Sequence, residues 1–151
     1  MQKINQKYIK SVVQKALLED LSPKGDLTTK LIRSKNKVIK AKIIAKQNGI
    51  ISGLDFCKTA FKLIGKETVF KKKIKDGKII KKNKIIAEII AKNKTILTAE
   101  RTALNFLNHS SGISTLTNKF VNKVGKNTKI CCTRKTTPNL RLLEKYAVKK
   151  G

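Results

Sequence analysis

The chain has 151 residues, enough for one ordinary domain, and 40% of them are apolar, too many for a disordered polymer. No apolar run approaches the roughly 18 residues of a membrane span, and the opening MQKINQKYIK is too polar for a secretory signal peptide. These features predict a soluble, cytoplasmic protein with no membrane partner.

The net charge is +27, carried by 32 lysines and only four arginines. Such an excess fits either a polyanion-binding surface or a lysine-rich solvated one. Nucleic-acid readers favour arginine forks and aromatic stacking, whereas here aromatics are 5%, Trp is absent and the lysines are spread along the whole chain. A solvated surface is the better reading, and its charge can still steer small anions to a cleft. The three cysteines, Cys57, Cys131 and Cys132, have neither disulfide-framework nor zinc spacing, and are expected to be buried thiols.

In chain order, Tyr8, Ile9, Val12, Val13, Ala16 and Leu17 predict a helix over about 5–19, stopped at Pro23 and Gly25. Ile39, Ala41, Ile43 and Ala45 alternate with lysines, the period of a strand with one wet face. NGIISG reads as a turn and short strand. Leu54 to Ile64 reads as an amphipathic helix closed by Gly65. The stretch 68–91 reads as strands, with Asp76-Gly77 signalling a tight turn. The predicted class is α+β, with helices against an antiparallel sheet.

Thr98 is a suitable N-cap, and the helix it opens is expected to give way to a second one near Ser110, Ser111 and Gly112. The second carries Ile113, Leu116, Phe120, Val121 and Val124 and ends at Gly125. NTKICCT (127–133) predicts a buried strand. Thr137-Pro138 reads as a cap and first helical position, with Leu140, Leu143 and Ala147 as the buried stripe and Gly151 as a C-cap.

Two of the four arginines fall in TRKTTPNLR (133–141). A loop between a strand and a helix, carrying Arg134, Lys135 and the hydroxyls of Thr133, Thr136 and Thr137, suits a bound anion. The competing reading is a solvated turn. Arg101 is placed in the first turn of its helix, the wrong end of the dipole for a cation. Either an anionic ligand or a pair with Glu100 or another surface acid explains it. Arg33 reads as a surface residue, Arg141 as one that packs or pairs on a helix face, His109 as a helix-end residue, and GDLTT (25–29) as a structural turn with a possible Ser/Thr cap. No phosphate loop of the Walker or Rossmann kind is present, and no residue is assigned to a metal.

LTAERTALNFLNHSSGISTLT (97–117), TRKTTPNLRLLEKYAV (133–148) and LLEDLSPKGDLTT (17–29) together resemble the quinolinate phosphoribosyltransferase family over essentially the whole chain. The resemblance implies an N-terminal α/β sandwich over 1–110, followed over 111–151 by the first β/α unit of an incomplete α/β barrel. It implies transfer of a phosphoribosyl group from 5-phosphoribosyl-1-pyrophosphate to quinolinate, with Mg²⁺ and loss of CO2. It implies a homodimer, or an assembly of dimers, in which Arg101 enters the neighbouring subunit's site. Thr133, Arg134 and Lys135 match the family's substrate-binding TRK motif, with Arg134 on a carboxylate and Lys135 as the catalytic lysine.

Asn139 stands where the family usually has glycine, and asparagine tolerates φ > 0. Family members are much longer, so the chain is expected to be an N-terminal portion, inactive alone. A molybdenum-transport paralogue, a nucleic-acid-binding module and a dimerising remnant are the alternative readings.

Overall fold

The computed structural model describes residues 4–32, 35–125 and 127–151, so Arg33 lies outside the described residues. Helix α1 (Gln6–Leu21) is capped by Asn5, whose side chain accepts from Lys7 N–H at 2.8 Å. It buries Ile9, Val13 and Leu17, one stripe at four-residue spacing. Helix α2 (Leu27–Leu31) is one turn long and capped by Asp26, which accepts from Thr29 N–H at 2.9 Å. GDLTT is thus a helix start.

Strands β1 (Val38–Ile44), β2 (Gly49–Ile50), β3 (Val69–Lys72), β4 (Ile79–Ile80) and β5 (Ile85–Lys92) form two antiparallel sheets, ordered β1-β5-β3 and β2-β4. The period-two reading of β1 holds. Lys42 and Lys71 both sit opposite Glu88 in register, and the Glu88 carboxylate pairs with Lys40 at 3.2 Å and Lys73 at 3.0 Å. That is the wet face. On the other face Ala87, Ile89 and Ala91 are buried.

Asp76-Gly77 does turn the chain, with Gly77 at φ 84°, but it does not join paired strands. The reason is where its groups are held. The Asp76 carboxylate accepts from Gly53 N–H at 3.0 Å and Leu54 N–H at 3.2 Å, and Gly77 N–H donates to the Ile51 carbonyl at 2.8 Å. Asp76 therefore caps helix α3 (Leu54–Ile64), whose N-cap Gly53 has no side chain of its own. As expected, Gly65 closes that helix, its N–H donating to the Phe61 carbonyl at 2.9 Å. Leu54, Phe56, Cys57, Ala60 and Phe61 of α3 form the centre of the core, with Phe56 and Phe106 rings 5.4 Å apart.

Helix α4 departs most from expectation. It is one helix of 32 residues, Asn93–Val124, not two. It leaves β5 directly at Asn93, so Thr98 is not its cap; the Thr98 hydroxyl donates to Asp26 at 2.8 Å instead. Ser110, Ser111 and Gly112 lie inside the helix. Ser110 is fully buried with its hydroxyl 2.8 Å from that of Ser52, and Ser111 Oγ accepts from Ser52 N–H at 3.0 Å. The two serines mark a close approach of the 50–53 segment, whereas Gly112 is exposed with open space around it. A Cβ on Gly53 would meet the Ser110 Cβ at 3.0 Å.

Residues 127–140 contain turns but no strand. NTKICCT is exposed, so Cys131 and Cys132 are exposed thiols and only Cys57 is buried. A strand needs a neighbour for its backbone donors and acceptors, and none of the described residues supplies one. Helix α5 (Arg141–Lys150) does form and docks on α4. Leu143 and Ala147 are fully buried, Ser114 Oγ donates to the Ala147 carbonyl at 2.7 Å, and Gly151 N–H closes the helix on that carbonyl at 3.2 Å. Leu116, Phe120, Val121 and Val124 of α4 remain exposed. The architecture is an N-terminal α+β sandwich followed by the start of an α/β barrel.

Candidate functional site

The loop 133–137 is held by its own backbone and by side chains of α5, with α4 and α1 bonding just outside it. Thr133 Oγ1 accepts from Lys135 N–H at 3.1 Å, and Thr136 N–H donates to the Arg134 carbonyl at 2.9 Å, coiling the loop on itself. Thr137 N–H donates to Glu144 Oε2 at 3.2 Å, and Glu144 Oε1 lies 3.0 Å from His109 Nε2 on α4. Arg141 Nε donates weakly to Thr136 Oγ1 at 3.4 Å. From α1, the Tyr8 hydroxyl donates to the Asn139 carbonyl at 2.9 Å.

Asn139, where the family usually has glycine, has φ 66°, a conformation that asparagine tolerates. That left-handed residue also explains why the helix does not begin at Pro138. Helical φ/ψ cannot run through it, so residues 137–140 form a turn and α5 starts at Arg141.

Arg134 and Lys135 are exposed, and neither side-chain head has a hydrogen-bond or ion-pair partner among the described residues. Pinned backbone with free cations is the arrangement an anion site needs: the donors are placed and their charge is not already neutralised.

Arg101 is differently placed. It is the ninth residue of α4, well past the first turn, so the dipole argument made from sequence does not apply. Its Nη1 lies 3.0 Å from Asp20 Oδ1 at the end of α1. The acid it faces is Asp20 and not Glu100. The guanidinium side chain is still 71% exposed, and so exposed a pair contributes at most about 1 kcal/mol. Asp26 sits nearby; its carboxyl is held below the ordinary range first by Thr29, then by Thr98 and by the charge of Arg101.

No hydrogen bond or ion pair among the described residues joins Arg101 to the 133–137 loop. A cleft of about 610 Å³ lies between β1 and α4, lined by Ile43, Ile89, Leu104 and Leu107. It contains none of Arg101, Arg134 and Lys135, and its rim carries Lys42, Lys46 and Asn48. No group of three or more His, Cys, Asp or Glu side chains gathers among the described residues.

Sequence reasoning missed Glu144. Starting the helix at Pro138 put this acid in the second turn, where it signals nothing. With the start at Arg141 it stands in the first turn, where a carboxylate turned back to an upstream N–H is a familiar device. His109 is a bridging residue deep in α4, not a helix-end residue.

Residues 26–111 match the model of the quinolinate phosphoribosyl transferase N-terminal domain, and residues 113–151 match that of the C-terminal domain. The chain belongs to the quinolinate phosphoribosyltransferase family. It is 38% identical over 149 residues to a probable carboxylating nicotinate-nucleotide pyrophosphorylase of Bacillus subtilis, covering 98% of this chain and 51% of that protein. It is 42% identical over 144 residues to a probable enzyme of the same name from Methanocaldococcus jannaschii, covering 93% and 49%. Among solved structures, NadC of Streptococcus pyogenes superposes with a TM-score of 0.94 at 37% identity, covering 100% of this chain and 54% of NadC. The nicotinate-nucleotide pyrophosphorylase of Francisella tularensis gives 0.92 at 34% identity, with 99% and 52% covered. The chain thus spans about half the length of the curated relatives it matches. No helix among its described residues is long and apolar enough to cross a membrane.

Proposed function

We propose that this chain contributes the dicarboxylate-gripping part of a cytoplasmic quinolinate phosphoribosyltransferase. The reaction joins the ring nitrogen of quinolinate to the ribose carbon of 5-phosphoribosyl-1-pyrophosphate as the bond to pyrophosphate breaks. Loss of CO2 from the ring carbon leaves an electron pair that takes up a proton, giving nicotinate mononucleotide.

The observation that carries the reading is the pair of cations on the pinned loop, whose heads have no partner among the described residues. Arg134 offers a planar fork to one carboxylate. Lys135 is the catalytic cation, close to the reacting ribose, where positive charge favours departing pyrophosphate. Thr133 shapes the loop by accepting from Lys135 N–H and turns its hydroxyl to the substrate.

Arg101 completes the grip in trans. Its guanidinium is largely exposed, and we assign it to the neighbouring subunit's site in a homodimer, with assemblies of dimers open to it. Mg²⁺ would accompany the pyrophosphate substrate on groups outside these 151 residues, and no step here runs through it. We divide the chain into a sandwich over 1–110 and a barrel start over 111–151, a division that α4 spans as one continuous helix.

Calorimetric titration with quinolinate tests the reading. Arg134→Ala should weaken binding about tenfold or more, the order expected when a charged partner is removed. In mixed dimers, Arg101→Ala should damage the partner's site and leave the site of its own chain intact. Absence of quinolinate binding by the unsubstituted protein overturns the proposal. One β/α unit does not close a barrel, so the 151-residue chain alone is expected to form no nicotinate mononucleotide.

A further inference from the structure

A single carboxylate ties the trailing end of the cationic loop to the long helix behind it. Glu144 is 13% exposed at its side chain. Its Oε2 accepts from Thr137 N–H at 3.2 Å and its Oε1 faces His109 Nε2 at 3.0 Å. A carboxylate can only accept, so Nε2 is the nitrogen that carries hydrogen in this contact. Partial desolvation pushes the Glu144 carboxyl up, but the bonds from Thr137 and His109 outweigh it and hold the group below its ordinary range.

The position has an evident cost. A negative charge beside an anion-binding loop repels the ligand unless something offsets it. That charge is engaged by two hydrogen bonds, His109 of α4 being placed to donate Nε2–H to the carboxylate oxygen that does not hold the loop. The contact from Arg141 to Thr136 is long at 3.4 Å, and the bond from Tyr8 reaches Asn139, beyond the loop. Glu144 is therefore the shorter side-chain tether from outside the loop to a residue within it.

We propose that Glu144, oriented by His109, is a positioning residue for the anion loop: it fixes Thr137 N–H so that Arg134 and Lys135 meet the dicarboxylate in one geometry. The benefit is lower ordering cost on binding. The inference rests on the function proposed above, but its first readout does not.

That readout is amide hydrogen exchange in ¹⁵N-labelled protein, following Thr137 and, as a control for global stability, Leu54. Glu144→Ala should speed exchange at Thr137 about tenfold, one hydrogen bond's worth, without changing Leu54. Glu144→Gln should restore protection, because its amide oxygen still accepts from Thr137. His109→Ala should give an intermediate rate. In parallel, quinolinate affinity should fall about tenfold in Glu144→Ala and stay within about threefold of the unsubstituted protein in Glu144→Gln.

Equal exchange at Thr137 in Glu144→Ala and the unsubstituted protein overturns the proposal, as does loss of binding in Glu144→Gln equal to that in Glu144→Ala. Should Glu144→Ala speed Leu54 as well, the His109→Ala rate at Thr137 decides, unchanged protection overturning the proposal. If the unsubstituted protein binds no quinolinate, the proposed function falls while exchange at Thr137 still settles whether Glu144 holds the loop.

Discussion

Strand β5 and the run Ile130-Cys131-Cys132 are both short apolar stretches, and they end in opposite conditions. IIAEIIAK pairs with β1 on one edge and β3 on the other, and buries Ile86, Ala87, Ile89 and Ala91. The ICC run has no strand beside it and lies in solvent. Apolar character gives a segment something to bury. It does not give it a neighbour, and backbone donors without a neighbour turn to water. The cations repeat the contrast: Arg101 faces an acid of α1, whereas Arg134 and Lys135 face solvent from a loop already tied down.

Thiol labelling would probe the first contrast most sharply. Cys131 and Cys132 are exposed, while burial above all, with the Asp76 charge added, pushes the Cys57 thiol up to about 12. Two thiols per chain should therefore react fast with Ellman's reagent and one roughly a hundredfold slower or more, limited by local opening. Three fast thiols would mean that the sandwich core is no better packed than the ICC run.

Next in size is the contact that holds the two regions together. Leu143→Ala empties a fully buried site where α5 meets the core, and should cost about 2–5 kcal/mol in urea unfolding. A much smaller loss would show that α5 adds little to the sandwich. Asp76→Ala should cost about 1–3 kcal/mol, because Gly53 N–H, Leu54 N–H and the Tyr146 hydroxyl at 2.8 Å all lose one acceptor. Tyr146 belongs to α5, so the same carboxylate caps a helix of the sandwich and ties down the barrel start. Its near neighbour also raises the Tyr146 phenol, first through burial and then through the Asp76 charge.

Smaller still is the acid dependence. Glu88, Asp26 and Glu144 all have carboxyls held below their ordinary range. Their contribution is complete above the unfolded-state value of about 4 and is lost as pH falls through the lowered native values. Urea midpoints should therefore hold steady from neutrality to about pH 5 and fall below about pH 4. A midpoint that rises on acidification contradicts the ion pairs of the sheet. Asp20→Asn, which breaks the exposed pair with Arg101, should change stability by less than about 1 kcal/mol. A larger loss would show Arg101 committed to its own chain and weaken its assignment to the neighbour.

Period and punctuation alone determined a good deal of this protein. The α1 stripe, the alternation of β1, the limits of α3 and the α+β class were legible because each depends on residues a few positions apart. The family motifs marked Arg101, Thr133, Arg134 and Lys135, and Asn139 stood where the family usually has glycine. What the sequence did not determine was which groups meet across the chain. Thr98 looked like a cap for its own helix, yet its hydroxyl serves Asp26, 72 positions away. Ser110 to Gly112 looked like a break, yet the helix runs through them, and Ser110 and Ser111 pack against Ser52 and Gly53. Asp76-Gly77 looked like a hairpin turn and caps α3. Glu144 carried no signal until Asn139 moved the helix start to Arg141. In each case the local preference was genuine, and a partner distant in sequence decided how it was used, because burying a polar group requires a specific donor or acceptor and only the tertiary fold supplies one.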